Sequence, residues 1–197
     1  MTEVGDRLRD ALEHGSAEAL AAWAATGRPG LVFLRETLIG RTAMPSLDQL
    51  SVHPKDALDN LTAAVAEIAW AHQAAFLDVF SDERLDTTNS LVVVGLGHVD
   101  DPRATQRLVA AARSADRWVR VDAAIGLGRR KSMDASDALE HLLDDSEYLV
   151  RYHALRSIAS VGGHHALARL RAIHFDTPVE AALTADAIAA ISARVFD

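Results

Sequence analysis

The chain contains no cysteine, which excludes disulfides and thiolate chemistry. Lysine is almost as scarce. Lys55 and Lys131 are the two in 197 residues, so cationic contacts fall to arginine, whose planar fork binds directionally. Aromatic residues make up 5% of the chain, so its core must be closed by aliphatic side chains and by abundant alanine. That composition suits closely stacked helices. An excess of positive charge is also missing. The formal charge of −8 argues against general nucleic-acid affinity, which requires Lys and Arg to neutralise phosphates. No run approaches the roughly 18 apolar residues of a membrane span. Residues 1–15 are charged and lack the apolar core of a signal peptide. The expectation is a soluble, cytoplasmic protein that does not meet a membrane.

What the sequence does contain is a repeat. Asp116-Arg117-Trp118-Val119-Arg120-Val121-Asp122-Ala123 returns in outline 31 residues later as Glu147-Tyr148-Leu149-Val150-Arg151-Tyr152-His153-Ala154. The same shift pairs Gly95-Leu96-Gly97 with Gly126-Leu127-Gly128, and Ala104 and Leu108 with Ala135 and Leu139. A fixed period of about 20–50 residues marks stacked-repeat architectures. One period accommodates two helices. Asp101-Pro102 opens the first, with Asp as N-cap and Pro at the first helical position. Leu108, Ala111 and Ala112 form one face of it, repeated by Leu139, Leu142 and Leu143. After a turn, the second helix carries Val119, Ala123 and Leu127 and stops near Gly128, placed for a left-handed C-terminal residue. At this period the chain holds roughly six helix pairs in a single domain spanning 1–197.

The N-terminal 81 residues are helical but off the repeat pattern. Helices are predicted over 2–14, from Ser16 to Gly27, and from Pro29 to Gly40. Residues 41–54 read as a loop with a short turn at Ser46-Leu47-Asp48-Gln49. A single long helix is predicted over 55–80, with Leu58, Leu61, Val65, Ile68, His72, Ala75 and Val79 as its stripe. Trp70, Leu77 and Phe80 widen that stripe and imply burial on two sides. His72 reads as a hydrogen-bonded core histidine. Residues 84–97 read as the second helix of a repeat, with Asn89 at the position of Arg120.

Three segments resemble the HEAT-repeat family in its short, phycobilisome-lyase-like form. They are Leu-Gly-His-Val-Asp-Asp-Pro-Arg-Ala at 96–104, Val-Arg-Val-Asp-Ala-Ala-Ile-Gly-Leu-Gly at 119–128 and Val-Arg-Tyr-His-Ala-Leu at 150–155. The resemblance covers roughly 82–175. It implies an all-α fold, a right-handed α-solenoid of stacked antiparallel helix pairs. It also implies that Arg120 and Arg151 each pair with an acid of the preceding turn, with Asp116, Asp145 and Glu147 as candidates. The later units depart from the pattern. Val161-Gly162-Gly163-His164-His165 replaces the Asp-Pro turn, and Glu180 stands where an Arg is expected, which suggests a C-terminal cap.

Catalytic and cofactor motifs carry little weight here. Val92-Val93-Val94-Gly95-Leu96-Gly97 resembles a strand entering a dinucleotide loop, but Asp100 occupies the third glycine position. Nine histidines invite a metal, yet no His-x-x-x-His or Glu-x-x-His spacing occurs. Asp100-Asp101 and Asp144-Asp145 read as turn residues that favour helix N-termini. The expectation is therefore no enzyme, no cofactor and no metal.

The functional reading is a non-enzymatic module that holds a protein partner on the concave surface of its second helices, as an adaptor or an immunity-type protein. The candidate contact residues are Asp86, His98, Arg117, Asp122, Arg129, Tyr148, Tyr152 and His153. They vary from unit to unit while the core positions do not. The competing reading is a HEAT-like-repeat DNA glycosylase for alkylated bases, using Trp118, Tyr148, Tyr152 and Asp122. The acidic charge opposes it. Arg129-Arg130-Lys131 forms a local basic strip, and a basic stripe on the concave face would favour this reading.

Overall fold

The computed structural model describes residues 3–41, 50–175 and 177–196. The turn expected at 46–49 lies outside them. Among the described residues there are twelve α-helices and no strand. None of these helices is long and apolar enough to cross a membrane. The helices gather into two compact units: Met1–Asp82 with His98–Asp100, and Glu83–Gly97 with Asp101–Asp197.

The first unit contains α1 (Glu3–His14), α2 (Ala17–Ala24), α3 (Arg28–Leu38), α4 (Pro54–Ala71) and α5 (Gln73–Val79). Ser16 caps α2, its Oγ accepting from the Ala19 N–H at 3.2 Å. Leu8, Ala11 and Leu12 of α1 meet the core beside Trp23, Leu31, Leu34, Leu61 and Ile68, all essentially buried. The helix predicted over 55–80 is two helices. The chain leaves helical geometry at His72, with φ −133° and ψ 50°. This bend lets the His72 ring donate from Nε2 to the Ala24 carbonyl at 2.9 Å, at the end of α2 where carbonyls lack helical partners. Two-sided burial is also corrected. Leu77 and Phe80 are buried, but Trp70 is 62% exposed and Leu58 is exposed as well.

The second unit begins with a 3-10 turn at Glu83–Thr87. It continues through α6 (Ser90–Gly97), α7 (Pro102–Ala111), α8 (Arg117–Leu127), α9 (Met133–Leu142), α10 (Tyr148–Val161), α11 (His164–Ala172) and α12 (Pro178–Phe196). The second helices of the pairs, α6, α8, α10 and α12, pack in succession as one layer. The first helices α7, α9 and α11 form the other layer. The repeat positions behave as the spacing requires: Leu108, Ala111, Val119, Ala123, Leu127, Leu139, Val150 and Ala154 are all fully buried. Asp101 caps α7 by accepting from the Arg103 N–H at 2.8 Å, with Pro102 in the first turn. Val92–Val94 lies within α6, so the strand that a dinucleotide fingerprint needs is absent there.

Glycine in this unit serves close approach rather than left-handed turns. Gly128 has φ −61° and ψ −13°, an ordinary helical conformation, which corrects the left-handed reading. A Cβ at Gly128 would lie 2.6 Å from Ser157 Oγ and 3.1 Å from its Cα on α10. Likewise a Cβ at Gly97 would lie 3.2 Å from the Gly126 Cα. The recurring Gly-Leu-Gly thus marks where neighbouring second helices nearly touch backbones.

Candidate functional site

The repeating arginines build a ladder between units. Arg120, on the first turn of α8, donates from Nη1 to the Ser114 and Ala115 carbonyls at 2.9 and 3.1 Å. Its Nε and Nη2 fork onto Asp145 Oδ2 and Oδ1 at 2.7 and 3.0 Å. Arg151 repeats this arrangement on α10. Its Nη1 reaches the Asp145 and Ser146 carbonyls at 2.9 and 3.1 Å, and its Nε donates to Glu180 Oε1 at 2.7 Å. The expected acid of the preceding turn is therefore corrected. Each arginine ties its own preceding turn through carbonyls and takes its carboxylate from the following unit. Glu180 does not interrupt the ladder; it receives the last rung. The physical reason is geometric: one planar guanidinium can satisfy two turn carbonyls and still present a second edge to the next repeat.

The acids register this arrangement. Burial pushes the Asp145 carboxyl up, but hydrogen bonds from Arg120 and the Glu147 N–H, with the charges of Arg120 and Arg151, hold it below its ordinary value. Glu180 behaves alike: burial raises it, while Arg151 and Thr177 hold it down. At the other end of the unit Asn89, which occupies the arginine position, caps α6 through Val92 N–H at 3.3 Å.

Asp86 is corrected as a surface residue. It is 1% exposed and takes a bidentate fork from Arg107 Nε and Nη2 at 2.6 and 2.5 Å. Its 31-residue offset from Arg117 puts it in the 3-10 turn rather than on a second helix, so it faces inward. The basic strip is corrected too. Arg130 is buried and donates to the Leu96 carbonyl at 2.6 Å, leaving Arg129 and Lys131 exposed without it. His98 is half-buried and groups with the first unit.

The remaining candidates lie on α8 and α10, except Arg129, which sits in the turn that follows α8. Arg117 is exposed, sits over the Trp118 ring at 5.1 Å, and approaches Glu147 at 3.6 Å. Tyr148 and Tyr152 pack ring to ring with centroids 6.1 Å apart, and Tyr152 meets His153 edge-on at 5.1 Å. Arg156 covers Tyr152 at 5.7 Å. Burial, and then the Arg156 charge, lower the His153 pKa. Asp122 is half-buried and accepts from Ser90 Oγ on α6. Burial raises its carboxyl to about 6 against the opposing Ser90 bond, with the Asp116 charge adding to the rise. Arg129 Nη1 reaches the Gly97 carbonyl at 3.4 Å.

One feature of this face was missed in the sequence. Trp118, Leu149 and Val179 are the second residues of α8, α10 and α12, and they are 49%, 40% and 48% exposed. The 31-residue shift from Trp118 already gives Leu149. Val179 escapes that shift because the last step is one residue shorter, as the helix starts Tyr148 and Pro178 show.

A family model for HEAT repeats matches residues 105–192. This stretch of the chain is a HEAT-repeat array. The match takes in α8 through α11, most of α7 and α12, and both rungs of the ladder. Among solved structures, the crystal structure of an engineered protein, a Northeast Structural Genomics Consortium target, aligns with a TM-score of 0.60 at 18% identity. The alignment covers 98% of this chain and 90% of that one, and at this identity it speaks for the fold, an α-solenoid. No curated protein matches the sequence significantly.

Proposed function

We propose that the protein is a non-enzymatic interaction module that holds a partner protein on the exposed face of its second helices. The observation that carries this reading is the row Trp118, Leu149 and Val179, one large apolar side chain per repeat at the same helical position. Exposed apolar groups scattered singly need no explanation, but a row in repeat register does. Arg117, Tyr148 and Tyr152 flank it, and Arg, Trp and Tyr are the types enriched at interface hot spots. The second helices approach backbone to backbone at Gly97–Gly126, while a groove of about 340 Å³ opens between α7 and α9. A tight layer against a splayed one bends a stack, with the second helices on the concave side. The net charge of −8 fits a basic partner, as an adaptor or an immunity-type protein would have. A cytoplasmic setting fits a chain without cysteine.

The glycosylase reading fares worse on charge. Arg107, Arg120 and Arg151 are bound to carboxylates and add nothing to a phosphate-holding face, and the net charge of −8 opposes such a face. The test is capture of partners from native extract by the wild type and by Trp118→Ala/Leu149→Ala/Val179→Ala. The triple variant should lose at least about tenfold in capture with unchanged helicity, since hot-spot truncations cost 1–2 kcal/mol or more. Trp70→Ala should bind as wild type. Equal capture by the triple variant would remove this face from the account. Release of alkylated bases from an oligonucleotide would replace it with the glycosylase.

A further inference from the structure

The first helices hold a second cluster that the partner-binding reading does not use. Asp137 and Glu140 lie three residues apart on α9, hence on one face of it. His165 is the second residue of α11. The fold brings one ligand atom from each of the three within 4.8 Å of the others. They line a depression of about 610 Å³. The sequence spacing concealed this set, because the histidine arrives 25 residues after the glutamate, from the next repeat.

Glu140 is the informative member. It is buried, with 8% of its side chain exposed. The other strongly buried acids of this unit, Asp86, Asp145 and Glu180, each receive an arginine. Glu140 instead has His165 Nδ1 at 2.7 Å and a long contact from Ser136 Oγ at 3.4 Å. A buried carboxylate is ordinarily neutralised by a cation or a metal. Arg194 also lines the depression, but its guanidinium donates to the Ala159 and Gly162 carbonyls at 2.9 and 2.6 Å. Lys131 lines it as well. Asp137 and His165 are exposed, so both can turn toward an ion beside Glu140 without disturbing the core.

We propose that Asp137, Glu140 and His165 form a divalent transition-metal site that braces α9 against α11. Two carboxylate oxygens and one imidazole nitrogen suit zinc, cobalt or manganese better than calcium or magnesium, which prefer all-oxygen shells. His165 Nδ1 and Glu140 Oε2 are already 2.7 Å apart, and ligand atoms spread over as much as 4.8 Å must close by a rotation of the exposed Asp137 or His165 side chain to share one ion at about 2.0–2.2 Å. Three protein ligands leave a position open for water or for a donor from another molecule.

The experiment titrates cobalt chloride into the metal-stripped full chain, following visible absorption, and zinc chloride by calorimetry. One saturable equivalent is expected, with a rise in Tm on saturation. His165→Ala and Glu140→Gln should each weaken binding by at least about tenfold, since even outer-shell changes at metal sites cost 10–100-fold. His174→Ala, on an exposed histidine elsewhere, should bind as wild type. His165 is 86% exposed in its side chain, so its variant is expected to fold, and circular dichroism checks this. Should Glu140→Gln misfold, His165→Ala and Asp137→Asn decide the matter. Absence of saturable binding, or binding that survives His165→Ala, overturns the site.

Discussion

The two units hold their helices together by different chemistry. The first uses single side chains aimed at the backbone of a neighbouring helix. Trp23 Nε1 donates to the Ala64 carbonyl at 3.0 Å, Asn60 Nδ2 to Leu12 at 2.8 Å, and His72 to Ala24. Its aromatic residues are partly inside, where Phe76 and Phe80 stack 4.7 Å apart, and its ion pairs, such as Lys55–Asp59 and Arg7–Glu3, are exposed. The second unit, which holds the HEAT-repeat match, reverses both habits. Three of its Arg–carboxylate pairs are largely buried, and its large aromatics Trp118 and Tyr148 are outside. A backbone-directed bond needs one specific partner carbonyl and suits a unit assembled once. An arginine in a turn can be copied from one repeat to the next, because the turns before Arg120 and Arg151 each supply two carbonyls and the following unit supplies an acid. The copied scheme also frees the ring residues for an outward face.

The largest expected effect separates the two chemistries. Asp86→Ala leaves the Arg107 guanidinium buried without its carboxylate and should destabilise the repeat unit by about 3–5 kcal/mol in urea unfolding. The exposed counterpart Asp59→Ala should cost less than about 1 kcal/mol. Next comes one substitution per unit. Trp23→Phe and Arg151→Ala should each cost about 1–3 kcal/mol, the first by losing a buried hydrogen bond and leaving space in the core, the second by leaving the Glu180 carboxylate without its arginine. If Arg151→Ala were silent, the copied scheme would be decoration on an apolar stack.

The comparison extends to pH. Asp122 has no arginine, and its folded pKa of about 6 lies above an ordinary unfolded value near 3.9. Its contribution to stability is therefore fully present below about pH 4 and lost as pH rises through about 6. Asp145 and Glu180, held low, contribute in the opposite sense and are lost as pH falls through their folded values. Asp122→Asn should thus gain about 1–2 kcal/mol over wild type at pH 8 and lose that advantage by pH 4, read from chemical denaturation at the two pH values. An equal effect at both would mean that the Asp122 environment does not resist ionisation.

Much of the repeat unit was legible because helical period and repeat period reinforce each other. Leu108, Val119 and Ala123 could be placed in the core from either one alone. The Gly-Leu-Gly motif was legible as a repeat feature but not in its cause, since a close approach to Ser157 depends on a helix 29 residues away. The ladder was half legible: arginine positions follow the 31-residue shift, but whether the acid comes from the turn before or after is a matter of three-dimensional reach. Asp86 was misplaced because the shift was carried past the point where the helix gives way to a 3-10 turn. His72 shows the limit of periodicity in the first unit. An unbroken apolar stripe read as one helix, while the backbone bends at His72, whose ring bonds the Ala24 carbonyl. Asp137, Glu140 and His165 carry no local signature at all.

The most direct test of the copied scheme is a double-mutant cycle on Arg120 and Asp145, which lie on consecutive repeats and share a fork with contacts of 2.7 and 3.0 Å. Urea unfolding of Arg120→Ala, Asp145→Ala and the double variant isolates their coupling. A coupling of at least about 1 kcal/mol at pH 7, shrinking as the pH falls below about 4, is the predicted result. Additive single effects, with coupling within about 0.3 kcal/mol of zero, would contradict the claim that charge forks join the repeats.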